Sequence, residues 1–123
     1  MIREYVAALK AAADPSRARI LKLLQSAELC VCQLRVVLGL SQSTVSGHLA
    51  VLRDAGFVES RTRGRWTFYR LAGSARNCYT AAVGALIREW LDDDHTVRSD
   101  RERLKQVLQA DAERVCRGGE KRS

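Results

Sequence analysis

Apolar residues near the start of the chain recur at helical spacing. Ile2, Tyr5, Val6, Leu9 and Ala13 predict an amphipathic helix over residues 2–12. Asp14 then stands at an N-cap position, with Pro15 at the first helical site, where its missing N–H costs nothing. Ala18, Ile20, Leu21 and Leu24 supply the buried stripe of that second helix. A third runs from about Cys30 to Leu38, turns Leu34, Val37 and Leu38 inward, and stops at Gly39. Only Gly39 and Leu40 separate it from Ser41, the cap of a fourth helix that buries Val45, Leu49 and Leu52 and ends at Gly56. Two short helices joined by so tight a turn form a helix-turn-helix.

The period then changes. Residues 57–61 and 66–71 are rich in aromatic and branched side chains, with Thr62-Arg63-Gly64-Arg65 between them, which predicts a hairpin whose tip carries Arg61, Arg63 and Arg65. A hairpin directly after such a helix pair is a wing. Tyr79, Val83, Leu86, Ile87 and Trp90 predict a fifth helix over 76–91, and the acidic loop Asp92-Asp93-Asp94-His95 follows. Ser99 with Glu102 reads as a capping box opening a sixth helix over 100–116, with Leu104, Val107, Leu108 and Val115 on one face. The polar tail 117–123 is expected to be disordered. The predicted architecture is mainly α with a small β-hairpin: a winged helix-turn-helix in the order α-α-α-α-β-β-α-α, within one domain over 1–116.

Charge adds a partner. Twenty-one Lys and Arg against 14 Asp and Glu give a formal charge of +7, a surplus suited to nucleic acid. No uncharged apolar stretch approaches the roughly 18 residues of a membrane span, and the charged N-terminus is unlike a signal peptide, so no membrane partner and a cytoplasmic location are expected. Cysteines at 30, 32, 78 and 116 do not suggest a disulfide framework, and the one-residue spacing of the first pair suits metal or redox chemistry. An enzyme is not expected: there is no redox CxxC, no nucleotide-binding glycine motif, and no catalytic base beside the thiols.

The order of elements and the wording of several stretches resemble the ArsR/SmtB family of bacterial winged helix-turn-helix repressors. The likeness covers about residues 5–91 and is carried by ADPSRARIL at 13–21, ELCVCQL at 28–34, LGLSQSTVSGHLAVLRDAGFV at 38–58 and RGRWTFYRL at 63–71. It implies a homodimer joined through the terminal helices 2–12, 76–91 and 100–116. Such a dimer binds double-stranded operator DNA with two-fold symmetry and releases it when a metal ion binds. On the DNA side, the exposed start of the fourth helix offers Gln42, Ser43, Thr44 and Ser46, with Arg53 further along and Arg63 and Arg65 on the wing. His48 reads equally as a DNA contact or as a partly buried structural residue.

ELCVC at the mouth of the third helix resembles members that sense arsenite, antimonite or soft divalent ions, and thiolates are the soft ligands among side chains. As(III) or Sb(III) bound through Cys30 and Cys32 is therefore the expected inducer, with no organic cofactor. Cd(II), Pb(II), a methylated arsenical, or oxidation of the thiols are the alternatives. On a regular helix residues two apart point about 200° apart, so gripping one ion with both requires local unwinding. The best-known arsenite motif of the family has a further cysteine where this chain has Arg35. Cys116, Cys78 or an external thiol would complete a three-sulfur shell, with Cys116 the candidate third ligand and Cys78 expected to be a small buried residue. The zinc-type sites of the family use Asp and His pairs along the fifth helix. Residues 76–91 contain no histidine.

Overall fold

The computed structural model describes residues 1–74, 77–110 and 115. Its elements are α1 (Ile2–Ala12), α2 (Pro15–Leu24), β1 (Leu29–Cys30), α3 (Val31–Leu38), α4 (Gln42–Asp54), β2 (Val58–Arg63), β3 (Trp66–Leu71), α5 (Cys78–Glu89) and α6 (His95–Gln109). The helices arise where the pattern and caps place them. Asp14 accepts the Arg17 N–H at 3.1 Å to open α2, and Asn77 accepts the Thr80 N–H at 2.9 Å to open α5. Gly39 ends α3 at φ +70°, a conformation that costs glycine nothing. The core lies where α2, α3, α4 and α6 meet, around Ile20, Leu23, Leu34, Val37, Leu49 and Leu104, all essentially inaccessible to solvent.

A strand that the hydrophobic pattern does not predict, β1, adds to the wing. The sheet order is β1-β3-β2, all antiparallel, with Leu29 opposite Tyr69 and Cys30 opposite Phe68. Across the hairpin Phe68 faces Arg61 and Tyr69 faces Ser60. Cys30, Phe68 and Arg61 therefore form one row across the three strands, and directly opposed residues project to the same side of a sheet. The order of elements gains a strand, α-α-β-α-α-β-β-α-α, and the fold class stands.

Two further differences have physical causes. The sixth helix opens a turn earlier than the Ser99–Glu102 capping box predicts, because Asp94 accepts the Val97 N–H at 3.0 Å. That earlier start buries Val97 and lets Asp100 take both Nε and Nη2 of Arg19 at 2.8 Å. Cys78, expected to be buried, is exposed at the start of α5. The predicted helical residues 111–114 and 116, and the predicted disordered tail 117–123, lie outside the described residues.

The apolar stripe of α6 is used inside the chain, where Leu104 and Val107 pack in the core against α2 and α3, although Leu108 stays exposed. Helices α1 and α5 pack together, with the Tyr5 and Tyr79 rings edge to face at 5.6 Å. Their outer faces leave Ile2, Val6, Leu9, Leu86 and Trp90 uncovered, Trp90 at 60% exposure. No helix among the described residues is long and apolar enough to cross a membrane.

Lys22 is a buried cation, at 1% exposure. Its Nζ donates to the carbonyls of Ile87 and Trp90, both at 2.8 Å, and meets Asp92 Oδ1 at 2.9 Å. These acceptors bracket Leu91, which sits at φ +73°, a left-handed conformation that costs a non-glycine residue of the order of 1–3 kcal/mol. The ammonium thus satisfies the end of α5 and holds the strained turn into α6. Replacing Lys22→Met keeps most of the packed volume but removes the donor. Urea unfolding should show a loss of about 1–3 kcal/mol, and an unchanged midpoint would mean that the lysine does not hold this turn.

Candidate nucleic-acid interface and thiol pair

The reading helix is set by its neighbours. Val45, Leu49 and Leu52 anchor α4 in the core, which turns Gln42, Ser43, Thr44, Ser46 and Gly47 outward. Ser41 caps the helix by accepting the Thr44 N–H at 3.2 Å, and its own hydroxyl donates to Thr44 Oγ1 at 2.8 Å. The exposed end of α4 therefore presents free N–H groups and small polar side chains, the chemistry that meets phosphate at a helix N-terminus. A Cβ on Gly47 would meet nothing within 4 Å, so this part of the helix surface is open. Thr80 of α5 donates its hydroxyl to the Ala55 carbonyl at 2.9 Å, which fixes the far end of α4. Arg53 is exposed on that last turn, 3.9 Å from Asp54.

His48 faces inward rather than toward the open surface, with 18% of its side chain accessible. Arg17 Nη1 lies 3.2 Å from its Nδ1, and Asp14 lies 4.0 Å from its Nε2. Arg17 also donates to the carbonyls of Ala11 and Lys10, at 2.8 and 3.1 Å. One cluster thus ties α4 to the α1–α2 corner. Burial opposes ionisation of Asp14, but the Arg17 N–H and the charges of Arg17 and His48 outweigh it and hold its carboxyl below the ordinary range.

On the wing, Arg63 and Arg65 are exposed, their guanidinium groups over the rings of Phe68 and Trp66 at 5.6 and 5.2 Å. Aromatic faces hold such cations at little cost. Gly64, at φ +60°, makes the turn between them. Arg61 is engaged differently: its Nε donates to Glu28 Oε1 at 2.8 Å. Glu28 lies two residues before Cys30.

The two thiols stand in unlike positions. Cys30 is not on the helix but ends β1 and serves as the N-cap of α3, in extended backbone at φ −88° and ψ 167°. Its N–H donates to Gln33 Oε1 at 3.0 Å, and its side chain is 2% exposed. Cys32 is half-buried in the first turn of α3 and is disulfide-bonded, whereas Cys30 and Cys78 are free thiols. Cys30 and Cys32 therefore do not share one regular helix: the extended backbone of Cys30 is already outside it. Cys116 lies outside the described residues. Among the described residues no cluster of three His, Cys, Asp or Glu is poised around an ion. Asp92 and Asp94 of the acidic loop are used structurally, Asp92 by Lys22 and by Arg101 at 3.0 Å, Asp94 as the α6 cap.

A capped, solvent-facing second helix and a three-stranded wing with cationic edges define a winged helix-turn-helix DNA-binding domain. Residues 14–60 match the family model described as bacterial regulatory protein, arsR family. The chain is 40% identical over 89 residues to the arsenic resistance transcriptional regulator ArsR1 of Pseudomonas putida, covering 69% of this chain and 70% of that one. It is 34% identical over 113 residues to the arsenical resistance operon repressor of Escherichia coli, covering 91% and 88%. Its fold is similar to the homodimeric winged helix-turn-helix DNA-binding domain of Mb0332 from Mycobacterium bovis, with TM-score 0.61, 31% identity, and 72% and 78% of the two chains covered. The chain belongs to the ArsR family and is a DNA-binding transcriptional repressor, not an enzyme.

The Asp14 cluster gives a pH dependence with a definite sign. A carboxylate held below its ordinary pKa stabilises the fold above the ordinary carboxylate range and loses that contribution as pH falls through its lowered value. Asn caps a helix as well as Asp, so Asp14→Asn removes mainly the charge. Urea unfolding should show D14N less stable than the native chain at neutral pH, with the gap closing in acid. A gap that is constant with pH would assign the difference to something other than this charge.

Proposed function

We propose that this repressor leaves its operator when As(III) or Sb(III) is captured by the thiolates of Cys30 and Cys32 in the reduced chain. The observation that carries the reading is the position of the pair. One thiol caps α3, the first helix of the DNA-binding pair, and the other lies in its first turn, so a ligand joining them acts on the helix that seats α4. The names of the Pseudomonas and Escherichia relatives support an arsenical. Trivalent arsenic favours sulfur ligands, and Cys116 is the proposed third. Two observations support that choice. Arg103 of α6 donates to the Val37 carbonyl of α3 at 3.2 Å, so the two helices lie side by side, and Val115, the residue before Cys116, packs against the core.

The repressor acts as a homodimer whose interface uses the uncovered faces of α1 and α5, because a contiguous stripe of large apolar side chains marks an interaction surface. The Mycobacterium bovis relative is homodimeric. A two-fold dimer reads a two-fold operator. Gln42, Ser43, Thr44 and Ser46 enter the major groove, and Arg53, Arg63 and Arg65 meet the backbone. His48 serves chiefly to orient α4, given its contacts with Arg17 and Asp14.

One observation favours a second reading. The disulfide at Cys32 is the chemistry of a thiol redox switch. Titrating a labelled promoter complex with arsenite, antimonite, Cd(II), a methylarsenical and peroxide separates the readings: release by peroxide without release by arsenite selects the redox switch.

Replacing Cys30 or Cys32 by Ser should leave operator binding within a few-fold of native while abolishing release by arsenite. Release at the native arsenite concentration by either variant would overturn the ligand assignment. Neutralising Arg63 and Arg65 together should weaken binding to all duplexes and lower the slope of log K against log salt by about 2. A slope equal to that of the native chain would remove the wing from the phosphate backbone.

A further inference from the structure

We propose that the wing is a second output of the thiol site, with Glu28 the residue that couples them; the inference rests on inducer capture by Cys30 and Cys32. Three observations converge. Cys30 belongs to the wing sheet, in one row with Phe68 and Arg61. Phe68 is also the ring on which Arg63 rests, so the partner of the sensing thiol positions a wing cation. Glu28 reaches across to Arg61 at 2.8 Å, which makes a side-chain bond beside the strand pairing. β1 is only two residues long, Leu29 and Cys30, so any movement of Cys30 disturbs half of it.

Cys30 is buried at the end of β1 while Cys32 is half-buried in α3, so on this proposal capture of both sulfurs by one trivalent arsenic moves the Cys30 side chain or its backbone. Movement toward Cys32 draws Cys30 away from Phe68 and pulls Glu28 from Arg61. The wing then loses its third strand and its tether. Arg61 and Arg63 change position together with α3, so the reading helix and the wing are displaced by one event. Glu28 acts here as a positioning residue: it touches neither DNA nor ligand.

Phenylarsine oxide is a suitable probe. Hydrated as a phenylarsonous acid, it gives up its two As–OH groups as water with the two thiol protons, forming two As–S bonds with no change in oxidation state. The experiment is amide hydrogen exchange read by mass spectrometry on the phosphine-reduced full chain, with and without one equivalent of the probe. The site of attachment is read from the same peptides. With arsenic on Cys30 and Cys32, exchange should rise about five-fold or more in residues 29–30 and 66–71, together with the first turn of α3. The variant Glu28→Gln should bind the probe with the same stoichiometry, yet show raised exchange in 58–71 before any is added, by about two- to five-fold. Arsenic on both thiols with exchange altered only in α3 and α4 would overturn the wing output and leave the site intact. Unchanged wing exchange in E28Q would overturn the role of Glu28. Failure of the probe to attach to Cys30 and Cys32 would overturn the proposed inducer site and this inference with it.

Discussion

The pairing of Leu29 and Cys30 with the inner strand of the wing is the constraint on which this molecule turns. Through it a single residue is at once the end of a strand, the cap of α3 and a member of the row that contains Phe68 and Arg61. Without β1 the segment between α2 and α3 would be a loop, and a cysteine in it would be exposed and mechanically idle. With β1, Cys30 is buried and its backbone is fixed from both sides, by the ladder and by the Gln33 side chain. A small chemical event there has no soft place in which to dissipate.

The remaining elements hold that corner in place from a distance. Asp100 of α6 takes the Arg19 guanidinium with both oxygens, and Arg103 one turn later reaches the end of α3. Thr80 binds the carbonyl of Ala55, the C-cap of α4, and Lys22 binds the carbonyls of Ile87 and of Trp90, the C-cap of α5. Each is a helix end met by a side chain from another helix, the usual answer to the unpaired groups at a helix terminus. Buried in this way, the charges and hydroxyls specify angles between helices that apolar packing alone would leave looser.

Most helices were legible because each carried both a periodic stripe and a local cap. Asp14-Pro15, Gly39 and Ser41 mark their boundaries by chemistry that needs no tertiary partner. The failures share a cause. A strand of two residues has no period, so β1 left no trace in the hydrophobic pattern. Asp94 and Ser99 are both competent caps, and the helix opens at Asp94, where Val97 becomes buried and Asp100 pairs with the distant Arg19. Lys22 was passed over because an amphipathic helix is expected to keep one wet face, yet Ile20 through Leu24 are all buried. That run of apolar residues around a single lysine was the available signal: a cation in a fully buried helical turn must find a partner. At the site, the cysteine pair and the arginines of the wing were read from motif and position, whereas the inward turn of His48 and the bond between Glu28 and Arg61 needed the packed structure.

The magnitudes suit the proposed wing output. Coupling between a ligand and a distant site is commonly worth 1–3 kcal/mol. A backbone hydrogen bond contributes about 0.5–1.5 kcal/mol net, and a partly exposed ion pair such as Glu28–Arg61 about 0.2–1 kcal/mol. Losing the short β1 ladder and that ion pair together therefore falls within the range that coupling requires. The buried position of Cys30 sets the direction of the effect. An ion that binds sulfur strongly can supply the free energy to open the corner, and in its absence the closed sheet is the stable state, which keeps α4 and the wing aligned for DNA. On the proposed reading, selectivity for thiophilic ions would follow from the burial of one sulfur as much as from the identity of the ligands.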